Sequence, residues 1–443
     1  MRRAGLILAL AMAAVCAPLR AQPAPAPSPL VEAFRAALAF DAGYRAARQE
    51  QLAAQEGIEL AAGARRPEVA LSGAGSLNSL DQKVGSATRS PEYTGSSIGV
   101  QLRQPIINRD LESREAQARL RARQADAVLA VRELELGERL VTAYIDLALA
   151  TGVVEVTRAD LQRQLRVVEA AQRSLAGREG TVTEVLEASS LADVLRAQLG
   201  AAENSRLNAE ESLRAITGPS VRPAPRLGRR LADAAGEAAG TSALDAMLAN
   251  HPELRARQLA VELARENING ARAPYRPRLD WSLGANRSDS DVVNSINQVN
   301  TLRSVGVQFT VPLYSGGRDG AATRQAALLV GRAEADLDDT RETLRLKGRQ
   351  ALRGLSSASQ RWQALQSARH STTQLITATG RSIAGGVRSR LDLLIAERQL
   401  VQVQRDEQQA LADHAKAWWR WAVARGEAGE AQLLQLEPSF QQP

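Results

Sequence analysis

The chain holds a single cysteine, Cys16, and aromatic residues make up only 3% of its 443 positions. One thiol excludes a disulfide framework, and so few rings argue against a thick globular core. Histidine is as scarce: His251, His370 and His414 stand apart, with no carboxylate or cysteine cluster at metal-ligand spacing around them. The sequence therefore offers neither a zinc site nor a convergent acid, base and nucleophile. Gly316-Gly317 lacks the further glycines and the lysine of a phosphate-binding loop, so no nucleotide or other cofactor is expected. After the N-terminal region no run of 18 or more apolar residues occurs, which predicts that no helix spans a membrane.

What is present begins with an export signal. Met1-Arg2-Arg3 leads into the apolar stretch Leu6 to Ala17, too short for a spanning helix and followed by Ala21 before Gln22-Pro23. Residues 1–21 read as a secretory signal peptide, with the mature chain starting near Gln22. Cys16 lies inside that signal and follows Val15, where a lipoprotein signal needs a small residue, so no lipid anchor is expected. Losing Arg2, Arg3 and Arg20 lowers the formal charge from +7 to +4, which gives no reason to infer a nucleic-acid partner.

The remainder is duplicated. Arg66-Pro67-Glu68-Val69 recurs as Arg276-Pro277-Arg278-Leu279, Ser97-Ile98-Gly99-Val100-Gln101 as Ser304-Val305-Gly306-Val307-Gln308, and Glu184-Val185-Leu186 as Asp392-Leu393-Leu394. The offsets are 210, 207 and 208, so three landmarks keep one register. Residues 22–217 form a first repeat and 243–426 a second, joined by a Pro- and Gly-rich connector over 218–242. A tail over 427–443 reads as poorly ordered at least in part.

Within each repeat the periodicity changes from two to helical. Strands are expected at about 68–78 and 96–105, then at about 278–287 and 303–312, each with one apolar and one polar face. Leu279, Trp281, Leu283 and Ala285 alternate with Asp280, Ser282 and Gly284; Val305, Val307, Phe309 and Val311 alternate with Gly306, Gln308 and Thr310. Polar loops at about 78–95 and 287–302 separate the strands. Helices follow at about 110–176 and 183–216, and at about 318–383 and 390–425. Ala125, Leu129, Leu136, Leu140, Ala143 and Leu147 mark a coiled-coil-like seam on the first. No proline interrupts residues 110–176, so that helix would run roughly 100 Å at 1.5 Å per residue. Four strands cannot close a barrel alone, because an open edge in lipid leaves backbone groups unpaired. Several chains must therefore contribute, with Trp281 and Phe309 as candidate lipid-facing residues.

Val311-Pro312-Leu313-Tyr314-Ser315-Gly316-Gly317, ending a strand and opening a long helix, resembles the strand-to-helix turn of TolC-like outer-membrane efflux proteins. Gln104-Pro105-Ile106-Ile107 is its first-repeat partner, and Gly386 to Leu394 and Ala143-Tyr144-Ile145-Asp146-Leu147 also resemble that family. The resemblance covers the mature chain. It implies a mainly α fold with a membrane β-barrel part: a homotrimeric, twelve-stranded barrel in the outer membrane over an α-helical periplasmic tunnel. It further implies a passive, non-enzymatic duct in a tripartite export system, with a periplasmic adaptor and an inner-membrane ABC or proton-driven transporter as partners. The family's hairpin tips fall near Gly177 to Thr183 and Ala384 to Arg390. There Arg388 matches a basic tip residue, Glu184 an acid that can pair with it, and Asp392 an acid that rings the aperture. Ile383 and Ile395 depart from a tyrosine and a second acid common in the family.

The missing lipid-anchor cysteine points, within that family, to type I protein secretion, with small-molecule efflux as the alternative. A soluble periplasmic adaptor would share the signal and hairpins but not the duplicated strand pairs. Trp418, Trp419 and Trp421 end a helix far from any strand and read as helix packing rather than a membrane-interface belt.

Overall fold

The computed structural model describes residues 28–79, 81–90, 92–219, 226–228, 247–290 and 298–441. The expected signal peptide and most of the expected connector lie outside those residues. Two short helices, α1 (Pro29–Phe40) and α2 (Ala42–Gly63), precede the first strand. Ser28 caps α1 by accepting from the Val31 N–H, and Asp41 caps α2 by accepting from Tyr44.

β1 (Glu68–Ser79) and β4 (Glu92–Ile107) pair antiparallel, with β2 (Gln82–Val84) and β3 (Ala87–Arg89) forming a small hairpin between them. α3 (Arg109–Ala176) and α4 (Val182–Thr217) complete the first repeat, and β5 (Arg226–Leu227) lies in the connector. The second repeat holds α5 (Pro252–Arg272), β6 (Arg278–Ser290), β7 (Gln298–Thr310), α6 (Arg318–Ala384) and α7 (Arg390–Ala424). α8 (Glu430–Leu436) and β8 (Phe440–Gln441) follow.

One four-stranded sheet runs β1-β4-β6-β7, so the strand pairs of the two repeats join through β4 and β6, leaving β1 and β7 as edges. The strands run further than alternation predicted, into the polar stretches at both ends of the loops. Backbone pairing needs no apolar side chain, so the pattern fades before the ladder does. β7 stops at Thr310, so Val311 and Pro312 lie beyond it. Pro105 sits inside β4 at a register shift rather than at the turn into α3, where a missing N–H is tolerated.

α3 has 68 residues, about 100 Å of helix. Its length is covered by two shorter partners placed end to end, α2 beside its first part and α4 beside its second; α5 and α7 cover α6 in the same way. The main core is a belt around the middle of these helices. Leu136, Leu140, Tyr144 and Ile145 of α3 pack there with Phe34 of α1, Leu344 of α6 and Trp418, Trp419 and Trp421 of α7. Trp419 is 1% exposed, and Gly137 of α3 lets it close in: a Cβ there would lie 3.3 Å from its ring. The tryptophans are helix packing, as read. α3 contains one 18-residue window whose mean hydropathy would allow a membrane crossing, but it is no unbroken apolar run and half of it is buried within the chain. That stretch serves the belt.

Within the tail, read as poorly ordered at least in part, residues 430–441 hold short regular elements packed on the belt. β8 pairs with β5, Phe440 opposite Leu227, and Phe440 meets Tyr144 edge-on at 5.1 Å. Leu433 and Leu436 are fully buried in the same belt. Elements of seven and two residues are too short to show a period, so only packing reveals them.

Candidate functional site

Three places carry the functional reading: the sheet face, the strand-to-helix turns and the helix tips. Across the sheet the register aligns Val69, Leu102, Leu283 and Val305 in one row and Leu71, Val100 and Ala285 in the next. Leu279 and Phe309 sit opposite each other below, with Trp281 opposite Val307. Leu71, Val305, Val307 and Phe309 are exposed, Phe309 by 66%, and Trp281 is half-buried. The opposite face is small and polar, from Ser72, Gly99 and Asn286 to Arg103, which pairs with buried Asp280 at 3.0 Å. One face thus suits hydrocarbon and the other water.

At the turns, the repeats solve one problem differently. Asn108 caps α3, its side-chain oxygen accepting from Asp110 and Leu111 N–H at 3.1 and 3.3 Å. In the second repeat Gly316 and Gly317 both take positive φ, 64° and 78°, which lets the chain reverse into α6 without a side-chain cap. Asn108 was missed in the sequence, although an Asn ahead of Asp110 and Glu112 is a helix-start signal.

The tips are built alike. In the second, Gly386 adopts φ 73° and the Val387 N–H closes on the Ser382 carbonyl; in the first, Arg178 holds the same position at φ 61° and the Glu179 N–H closes on Ser174. Each following helix opens with a reciprocal capping box: Thr181 with Glu184, and Ser389 with Asp392. Hydrogen bonds from the Ser389 backbone N–H and hydroxyl, with Arg388 nearby, hold the Asp392 carboxyl below its usual range. Arg388 and Glu184 are exposed, and no ion pair joins them among the described residues. The expected Glu184–Arg388 pairing is thus absent within one chain, because each tip acid has unsatisfied backbone donors on its own helix within closer reach.

Away from the tips, the two hairpins are fastened by a ladder of polar contacts between α3 and α7. Asp146 meets Lys416 at 2.5 Å, Thr157 meets Arg405 at 3.3 Å and Arg163 meets Glu397 at 2.8 Å. Arg405 also reaches Gln198 of α4 at 3.4 Å. Within the second hairpin, Arg369 of α6 pairs at 3.1 Å with Glu407 of α7, which is 2% exposed. Partners so far apart in sequence left no local signal. Among the described residues no cluster of metal-ligating side chains occurs. His251 instead caps α5, its Nδ1 accepting from the Glu253 N–H at 3.2 Å.

Comparison with known proteins agrees with this geometry. The family described as "Outer membrane efflux protein" matches residues 35–219 and again 243–427, two segments offset by the 208 residues that separate the tip acids. The chain is 31% identical to alkaline protease secretion protein AprF of Pseudomonas aeruginosa, over 93% of this chain and 87% of that one. It is 28% identical to proteases secretion protein PrtF of Dickeya chrysanthemi, over 93% and 91%. The solved structure of the outer membrane protein VceC of Vibrio cholerae superposes with a TM-score of 0.72 at 18% identity, covering 90% of this chain and 96% of that one. With repeat, sheet and tunnel-forming hairpins in place, the chain belongs to the outer membrane efflux protein family, a TolC-like exit duct of the outer membrane.

Proposed function

We propose that three copies assemble edge to edge, β7 of one against β1 of the next, into a twelve-stranded barrel that conducts substrate passively through the outer membrane. The observation that carries this is the open four-stranded sheet with two free edges and an exposed, predominantly apolar face. The duct performs no chemistry of its own. It completes a tripartite machine, taking substrate from an inner-membrane transporter through a periplasmic adaptor.

The cargo is protein, exported by type I secretion. AprF and PrtF are both named for protease secretion and match nearly the whole chain, which supports this cargo over small molecules. The gate is at the hairpin tips, and it opens when the α7 side of the second hairpin leaves α3. Arg163–Glu397 is the last rung before the tips, and no inter-hairpin ion pair lies beyond it among the described residues.

Co-expression with a protease-secreting inner-membrane transporter and its adaptor, in a host lacking its own duct, tests the cargo. Protease in the medium is the expected result. Retention of protease together with restored resistance to small toxic compounds would favour the efflux reading instead.

A further inference from the structure

Two arginines interrupt the apolar face of the sheet. Arg303 of β7 lies opposite Ala285, and Arg287 of β6 lies opposite Thr301 and Ile98, so the two are diagonal neighbours on adjacent strands. They share their face with Leu71, Val100, Leu283 and Val305 rather than with the polar residues behind. Both are exposed, and neither joins an ion pair among the described residues. Asp289, the one acid further along β6 on that face, is also without such a pair and stands closer to the inter-strand loop, leaving the trio net positive.

Their height matters. Arg287 is three residues from the end of β6 at Ser290, on the side away from the helices. Phe309 and Arg303 are six residue steps apart on β7, about 16 Å along the membrane normal for a strand tilted about 40°. Exposed Leu313 and Tyr314 continue the apolar surface below Phe309. The arginines therefore stand near the outer border of an apolar band about 25 Å tall. Their aliphatic stems can lie on that band while the guanidinium groups reach outward. At that border the abundant anion is phosphate on lipid headgroups, and a pair of guanidinium forks matches phosphate oxygens in both charge and geometry.

We propose that Arg287 and Arg303 form a binding site on the outside of the barrel for the phosphate group of an outer-leaflet lipid. The site rests on the barrel reading above. Lipid held there would fix the vertical seat of the barrel beside the free edge strand β7 and so support its closure against the next protomer.

The test compares the full-length protein with R287Q/R303Q and R287K/R303K, each extracted from outer membranes in detergent. Bis-phosphorylated lipid A, the same lipid without phosphates, and inorganic phosphate are titrated, with bound lipid counted by native mass spectrometry. The expected result is at least tenfold weaker binding of phosphorylated lipid by the glutamine variant, an intermediate loss for the lysine variant, and no comparable binding of the dephosphorylated lipid. Equal binding by all three proteins, equal binding of dephosphorylated lipid, or displacement by millimolar inorganic phosphate would overturn the site. Membrane-inserted trimers that bind no lipid defeat this inference alone, whereas a chain absent from the membrane fraction defeats the barrel reading with it. If the glutamine variant fails to insert, the lysine variant, which keeps charge without the fork, decides.

Discussion

Asp392 accepts a hydrogen bond from the Ser389 backbone N–H at 3.0 Å and a second from the Ser389 hydroxyl at 3.1 Å, while the Asp392 N–H donates back to that hydroxyl oxygen. The acid that a family resemblance assigns to the aperture is, in this chain, first the cap of its own helix. Cap and charge are separable. Asn at position 392 keeps an acceptor oxygen, so D392N is expected to preserve the tip and alter only the cation preference of the open pore. S389A removes the cap and is expected to cost about 1 kcal/mol of local stability. Limited proteolysis at the 385–390 turn and single-channel selectivity measurements separate the two.

The same geometry sets a pH dependence. The Asp392 carboxyl lies below its ordinary 3.8 because Ser389 donates to its charged form. Its contribution is complete above that ordinary value and is lost as pH falls through the depressed one. The second tip should therefore resist proteolysis down to about pH 4 and loosen only in stronger acid.

Arg178 occupies a left-handed position that its counterpart fills with Gly386. R178G should raise stability by about 1 kcal/mol, and G386A should lower it by a similar amount. Denaturant unfolding of the detergent-solubilised protein reads both.

Glu407 is almost fully enclosed and faces Arg369. R369M strands a buried carboxylate and should destabilise by about 3 kcal/mol, while E407Q in the same background should recover most of the loss. A double variant no more stable than R369M would contradict this assignment.

His251 lies below its ordinary 6.5 mainly through burial, with nearby Lys347 pushing the same way and Glu253 and the Val423 carbonyl opposing. Its neutral ring accepts the Glu253 N–H, so protonation removes the cap of α5. Stability from this group is complete above pH 6.5 and falls as pH drops toward the folded value. His414, also lowered by burial, contributes a parallel slope. H251N, which retains a capping side chain, should flatten the decline in unfolding midpoint between about pH 7 and pH 5 without abolishing it.

Most of the architecture was legible because it is periodic. Alternation in β6 and β7, the seam from Ala125 to Leu147 and the 208-residue repeat each encode an element locally. Apart from the local Asn108 cap, what escaped depends on contacts distant in sequence: the pairing of Leu227 with Phe440, the Lys416–Asp146 rung, and the burial of Glu407. The tip residues were legible as positions but not as roles. A carboxylate three residues after Thr181 or Ser389 fits a capping box as well as a partner for Arg388 (Glu184) or an aperture acid (Asp392), and the structure displays the capping box.

The central claim is a shared barrel. Outer-membrane fractionation of the expressed protein, followed by mass determination of the solubilised particle with detergent subtracted, tests it most directly. A membrane-bound particle of roughly three chain masses is the predicted result, since four strands per chain then close at twelve. A soluble periplasmic monomer would contradict the duct and leave the apolar sheet face without a purpose.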